Sequence, residues 1–455
     1  MSDNQSNSQS PQSNANHKWL KKLPLLAVPA LGLMLFTACN NQRAVTPQPA
    51  GKPTVTIVKP QPPVVVQKPV IKNPVTQRPI IQPAPQNYLS FDQWKADFTQ
   101  RAIARGYSAD MVSRLMAGAS LNSNVISSDK NQAEFVKMPW EYADSAVSGG
   151  RVSRGQSKVA EQRSLLSGLE ARYGVDAEII GAIWGMESSF GAVTGSSYLP
   201  SSLGCLAFEG RRRDFAEEQL TALMTLVNRG DVAWHQLDGS WAGGMGHTQF
   251  IPKTWLDYGV DGDYDGRRSP WSTYDALSST ANYLASSGWV RGIDPFVEVR
   301  LPASFNYNYV DSKQSGSAWQ SMGVQPLGGY LNAGTAYELW LPAGKDGPAL
   351  LLSPNFDAIK VYNNSNNYAL GVSLLARALE GRGGLQTSWP RFEQPLSGYQ
   401  VKNLQQRLTD MGYDPKGVDG VVGTNTRKAF ARWQSDNGQI PDGFISQRSA
   451  SGLIY

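Results

Sequence analysis

Cysteine and histidine are scarce in this chain of 455 residues, which holds two cysteines, Cys39 and Cys205, and three histidines. Two cysteines cannot build a disulfide framework. Beyond the first few dozen residues only His235 and His247 occur, and neither falls in an H-E-x-x-H pattern, so no zinc-hydrolase motif is present. A cysteine peptidase would have to rely on Cys205, whose apolar LGCLAF setting disfavours a thiolate. Cys205 reads instead as a small buried hydrophobe. The formal charge of +5 is not gathered into a basic stripe, which speaks against nucleic acid as a partner and mildly favours anionic wall polymers or lipid head groups. Acidic residues are missing altogether from Thr46 to Gln86, where prolines recur among valine, glutamine and lysine. Such a segment is a stiff, positively charged tether, able to span on the order of 100 Å at about 3.1 Å per residue.

Long hydrophobic runs are missing too. The apolar stretch LPLLAVPALGLMLFTA is too short and too interrupted by proline to span a membrane, and it follows the basic flank His17–Lys22. That combination is a secretory signal. Its end, FTAC, resembles the lipobox of bacterial lipoproteins, although Phe36 departs from the usual leucine. The resemblance implies that Cys39 becomes the lipidated first residue of the mature chain, and that Asn40 directs it to the periplasmic face of the outer membrane. An uncleaved anchor or a Cys39–Cys205 disulfide is the alternative.

Folded sequence is expected from Tyr88. After Ser90 as a cap, Phe91, Trp94, Phe98, Ala102 and Ile103 keep helical spacing. Further helices are expected over Ser157–Tyr173, around Glu187, and over Arg213–Asn228, Tyr274–Ser287 and Tyr368–Glu380. VEVRLPASFNYNYVD and AYELWLPAG read as strands. The division is a signal at 1–38, a tether at 39–87, a mainly helical domain with a small β-containing insertion at 88–386, and a small terminal domain at 393–455.

Within AEIIGAIWGMESSFG, residues Ile179, Ile180, Ile183, Trp184 and Glu187 share one helical stripe, with Asp176 placed as N-cap and Gly191 as stop. A carboxyl group on an apolar stripe must be neutralised, paired or used, because burial favours its protonated form. A general acid needs that proton at neutral pH. Asp214, Glu217 and Glu218 are the nearest candidates for a second acid, and their charge-dense surroundings read as a solvated helix face. GSWAGGMGHTQFIPKTW lets backbone amides approach a ligand closely and adds Gln249, both donor and acceptor. VYNNSNNYA adds further amides and two phenols before a helix. Directional partners of this kind suit a sugar polymer.

ESSFG, GGMGHTQFIP, ANYL and YNNSNNYA, in that order, resemble the membrane-bound lytic murein transglycosylase B family, and the similarity covers nearly all of Tyr88–Gly384. The resemblance implies a lysozyme-like α-helical catalytic domain in which Glu187 is the only catalytic carboxylate. Such an enzyme cleaves between N-acetylmuramic acid and N-acetylglucosamine without consuming water, with the muramic acid's own N-acetyl group assisting at C1, and leaves a 1,6-anhydro ring. It also implies Ser240, Gln249, Tyr283, Tyr362, Asn363 and Tyr368 around the substrate. No catalytic cofactor is implied. Hydrolysis by a muramidase, or a silent wall-binding scaffold, is the competing reading.

In DGDYDGRRSPWSTYD, Asp261, Asp263 and Asp265 occupy positions 1, 3 and 5 of a calcium loop, Gly266 supplies the turn, and the carbonyl of Arg267 falls at 7. Position 12 is Ser272, which fails the strict EF-hand. The family's longer loop would close at Asp275, and the ion would be structural. The tail combines L-Q-x-x-L, V-D-G-x-x-G and F-A-R-W-Q and resembles the three-helix peptidoglycan-binding module of wall hydrolases. Glycan strands and the outer membrane are therefore the expected partners, and proteins of wall synthesis or division that recruit the chain are not legible.

Overall fold

Serine punctuates the helices of this protein. In a computed structural model describing residues 88–130 and 137–454, Ser90, Ser272, Ser365 and Ser397 each accept a hydrogen bond from a backbone N–H in the first turn of the helix that follows. Ser397 completes a capping box with Gln400. The export signal, the tether and Cys39 lie outside the described residues.

Two helical clusters form the large domain. In the first, helix Phe91–Ala104 buries Phe91, Trp94, Phe98 and Ala102 against helices Leu199–Glu209 and Arg213–Arg229. Ile103, expected on the same stripe, is exposed. The second surrounds helix Ala177–Ser188, which packs on Asn366–Leu379, Gly149–Glu161, Arg163–Tyr173 and Thr273–Ser286. The stretch read as one helix over Ser157–Tyr173 is two, broken at Gln162, where the backbone leaves helical geometry (φ −101°, ψ 15°). Asp176 stands at the N-cap position of Ala177–Ser188 but makes no side-chain cap bond.

Helix Ala177–Ser188 is buried nearly all round, more than the single stripe expected. Its glycines permit this. A Cβ at Gly181 would sit 2.7 Å from Val159 Cγ2, and one at Gly185 2.4 Å from the Phe190 ring.

The insertion is a five-stranded antiparallel sheet in the order β4-β6-β7-β3-β5, with β3 Phe296–Arg300, β4 Lys313–Ser315, β5 Gln325–Pro326, β6 Ala336–Trp340 and β7 Ala349–Leu352. Alternation along β7 sends Leu350 and Leu352 into the helical core and Ala349 and Leu351 into a separate cluster with Val297, Val299 and Trp319. The stretch read as a strand through Asp311 ends at Arg300. Its FNYNYVD part is a loop with a 3₁₀ turn, Tyr307–Tyr309, capped by Asn306. A two-residue antiparallel pair, β1 Ser197–Tyr198 with β2 Asp238–Gly239, lies beside the first cluster.

In the terminal module, helices Gly398–Asp410 and Thr424–Asp436 bury Leu404, Leu408, Ala429 and Phe430. The third helix expected there is instead a set of hydrogen-bonded turns bringing in Ala450, Leu453 and Ile454. Gln405 pins the V-D-G turn, donating to Asp419 Oδ1 at 2.8 Å and accepting from Gly420 N at 2.8 Å. The module is seated on the large domain. Phe444 joins Met138, Trp140 and Ala343 in a small apolar cluster, Lys345 N donates to Asp442 Oδ2 at 3.0 Å, and Arg427 donates to the Leu341 carbonyl at 3.1 Å. Gly344 takes φ +70° at this seam, and a Cβ there would meet Asp442 Oδ2 at 2.7 Å.

Candidate active site

Glu187 ends a buried helix and opens an unusual turn. Ser189, Phe190 and Gly191 all have positive φ, at 51°, 62° and 82°. For the two non-glycine residues this costs roughly 1–2 kcal/mol each, so the surroundings must hold the turn. Ser188 does so from within, accepting from Gly191 N at 2.8 Å while its hydroxyl donates to the His247 carbonyl. Phe190 does so by filling the slot that Gly155 and Gly185 leave open, a burial contributing roughly 2 kcal/mol. Gly191 must lack a side chain, because a Cβ would lie 2.4 Å from the His247 ring. The motif ESSFG is therefore one acid and the parts that bend the chain away behind it.

His247 was not singled out by its residue type, yet it joins two motifs. Trp184 Nε1, which can only donate, reaches His247 Nδ1 at 3.1 Å, and this places the imidazole proton on Nε2, facing Thr273. Burial lowers the His247 pKa and keeps the ring neutral. Two residues on, Gln249 adopts φ +49° and donates to the carbonyls of Thr194 at 3.0 Å and Gly246 at 2.8 Å. Ser240 Oγ accepts from Gly244 N at 2.8 Å. Ser240 and Gln249 meet over Gly244, where a Cβ would lie 2.9 Å from Ser240 Oγ and 2.7 Å from Gln249 Oε1. The glycine loop is thus fastened directly to the segment that follows Glu187.

VYNNSNNYA delivers two phenols, Tyr362 in the turn before helix Asn366–Leu379 and Tyr368 in its first turn. Tyr368 is buried and donates from its hydroxyl to Glu187 Oε1. Burial and then the charge of Glu187 push the Tyr368 pKa well above the ordinary phenol value, so it remains a donor. Tyr362 donates to Thr280 Oγ1 at 2.8 Å, and its pKa is raised by burial and also by Glu187. Tyr283 donates to the Val361 carbonyl and packs with Tyr362 and Phe250 at ring-centroid distances of 5.5 and 5.6 Å. Asn363 is half-buried in the turn leading to Tyr368. Glu187 itself is half-buried.

Glu217, read as part of a solvated face, is instead buried, accepting from Trp94 Nε1 at 3.0 Å and from both terminal nitrogens of Arg101 at 2.6 and 2.9 Å. Its carboxylate is committed to the core of the other helical cluster. Asp214 and Glu218 are exposed, as expected.

Carboxylate oxygens of Asp261, Asp263 and Asp265 lie within 4.8 Å of one another. Loop amides already turn towards them: Asp261 accepts from the N–H groups of Asp265 and Gly266, and Asp265 from Arg267 N. Asp275 stands apart from this cluster. It is buried, and its two oxygens accept from Gly262 N and Ser269 N at 2.7 and 2.8 Å, holding the far side of the loop.

The helical domain thus sets one half-buried acid against tyrosines, amides and a glycine loop. The family model described as Transglycosylase SLT domain matches residues 90–377, and a peptidoglycan binding domain model matches 397–448. The chain belongs to the transglycosylase SLT family. It is 33% identical over 218 residues to membrane-bound lytic murein transglycosylase B of Escherichia coli K12, an alignment spanning 46% of this chain and 58% of that relative. The crystal structure of SltB3 from Pseudomonas aeruginosa in complex with NAG-anhNAM-pentapeptide superposes with a TM-score of 0.76 at 44% identity, covering 80% of this chain and 100% of that one. An Escherichia coli lytic transglycosylase in complex with calcium superposes at 0.56 and 26% identity, over 63% of this chain and 92% of that one.

Proposed function

We propose that this protein cleaves the bond between N-acetylmuramic acid and N-acetylglucosamine in peptidoglycan without water, leaving 1,6-anhydro ends, and that Glu187 is its acid and base. The observation carrying this reading is the bond from Tyr368 to Glu187 Oε1. It holds the carboxyl group in one orientation against a buried neutral donor. Protonated Glu187 gives its hydrogen to the glycosidic oxygen as the C1–O bond breaks, and the N-acetyl carbonyl oxygen of the muramic acid closes on C1. The carboxylate then takes the proton of the C6 hydroxyl, whose oxygen attacks C1, displaces the acetyl oxygen and completes the anhydro ring. Glu187 ends protonated, ready for another cycle. Ordinary glycosidases require a second carboxylate facing the first. Here the substrate's own groups serve as nucleophiles, and the commitment of Glu217 to Arg101 accords with that. Ser240, Gln249, Tyr283, Tyr362 and Asn363 position the sugars, with Tyr283 and Tyr362 offering ring edges and hydroxyls. Mass spectrometry of a murein digest tests the whole scheme. Products one water lighter than those of hydrolysis are expected, and hydrolysed reducing ends from the same digest would overturn it.

The loop at Asp261, Asp263 and Asp265 suits a hard divalent cation, since three converging carboxylates repel one another and carboxylate oxygens are the ligands calcium prefers. These three residues would hold a structural Ca²⁺, with the Arg267 carbonyl beside them and Asp275 bracing the loop. Chelation is expected to lower the unfolding temperature by about 3–6 °C, the equivalent of roughly 1–2 kcal/mol. An unchanged melt would remove the ion from the account. At the other end, Cys39 and the proline-rich tether support a lipid-anchored enzyme reaching from the outer membrane into the wall. Cys39→Ser should move the protein from the membrane fraction to the soluble one.

A further inference from the structure

The seam between the sheet and the terminal module encloses a groove of about 740 Å³, a size typical of ligand sites. One wall is the 3₁₀ segment of the insertion, with Tyr307, Asn308 and Asp311, and the other is the outer face of helix Thr424–Asp436. On that face Asn425, Lys428, Arg432 and Ser435 follow one another at helical spacing. None of the groove's lining residues belongs to the candidate active site. The seam is built to hold the groove in shape: Gly344 admits Asp442 and Phe444 at contact distance, and Arg427 bridges to the sheet.

We propose that this groove is a second wall-binding site, made jointly by the insertion and the module, and that it takes the peptide stems of peptidoglycan. The assignment rests on the reading of murein as substrate and adds where, and by which chemical group, the polymer is held away from Glu187. Charges of both signs line the groove. Lys428 and Asn425 have no side-chain partner among the described residues, Arg432 donates to the Asp414 carbonyl at 3.5 Å and feels the Asp414 carboxylate, which is itself paired with Lys416, and Asp311 and Asp436 stand within the same lining. A stem peptide carries carboxylates together with amide and amine donors, and matches such a surface. A bare glycan carries fewer charges and would leave Lys428 and Arg432 without use. An apolar lipid tail would have to bury these charged groups at a cost of several kcal/mol.

The test uses the full chain carrying Glu187→Gln, so that the polymer is bound without being cut. Retention is measured on intact sacculi and on glycan strands stripped of their peptides. Lys428→Glu with Arg432→Glu is expected to reduce retention on intact sacculi about tenfold and to leave retention on stripped strands unchanged. Arg154→Glu with Lys158→Glu, an equal change of charge on helix Gly149–Glu161, should bind as the parent does. Matching thermal melts establish that both variants are folded. Undiminished binding by the groove variant, equal losses on both polymers, or an equal loss in the control would each overturn the proposal. None of these outcomes depends on the products of cleavage, so the site can fail while the transglycosylase reading stands, and the reverse.

Discussion

Glu187 and Glu217 sit on two largely buried helices of one domain, and what meets each of them separates a carboxylate that acts from one that holds. Glu217 receives a guanidinium and an indole N–H in a closed ion pair. Glu187 receives a phenol on Oε1, beside a strained turn that Ser188 and Phe190 hold in place. A buried acid paired with arginine is held as a carboxylate, whereas a half-buried one met by a neutral phenol has no guanidinium to fix its charge and can pass between its two protonation states. Burial alone, the property visible in sequence, does not distinguish the two.

The comparison can be broken most sharply by exchanging each acid for its amide. Glu187→Gln should reduce turnover by about 10³-fold or more with murein binding retained and the melt little changed. Glu217→Gln should do the opposite, costing about 3 kcal/mol of stability by leaving Arg101 poorly paired, with turnover per folded molecule unaltered. Activity assays and denaturant melts on both variants check this, and similar behaviour of the two would dissolve the distinction. Next in size, Tyr368→Phe should lower kcat by about 10–100-fold with little change in KM, since it frees the orientation of Glu187 and leaves the sugar contacts in place.

A smaller effect is expected at His247. His247→Phe removes the acceptor for Trp184 and should lower kcat by about tenfold, and His247→Asn, whose Oδ1 lies where Nδ1 did, should restore much of it. The smallest effect concerns the start of the same helix. Burial, then Glu170, Asp294, Glu380 and Glu178, push the pKa of Asp176 up to about 6. The folded state then keeps a proton that the unfolded chain releases, so the cost is present at neutral pH and is relieved as pH falls through about 6. Stability should rise by about 1 kcal/mol from pH 7 to 5, and Asp176→Asn should flatten that slope.

Much of this site was legible beforehand. The Glu187 helix, the glycine loop and the two phenols of VYNNSNNYA are marked by spacing and residue type, and the structure joins Tyr368 to Glu187 and ties the glycine loop to the Glu187 helix through His247. The bend behind Glu187 was hidden because two of its three positive-φ residues are serine and phenylalanine, not glycine. Glu217 was misread because its partner Arg101 lies 116 residues away, and a charge-dense stretch carries no trace of so distant a cation. His247 escaped notice for a similar reason: its part is defined by Trp184 and Gly191, which belong to another motif. The strand expected over FNYNYVD failed because Asn306 offers the backbone a local turn in place of a ladder.

Glycine at 344 has a consequence for how the two folded parts of the chain are spaced. With no side chain there, Asp442 and Phe444 of the terminal module close directly onto the backbone of the large domain, as a rule meets its stop. The spacing between the two folded parts is thus set by a missing methyl group, and any side chain at this point would push them apart.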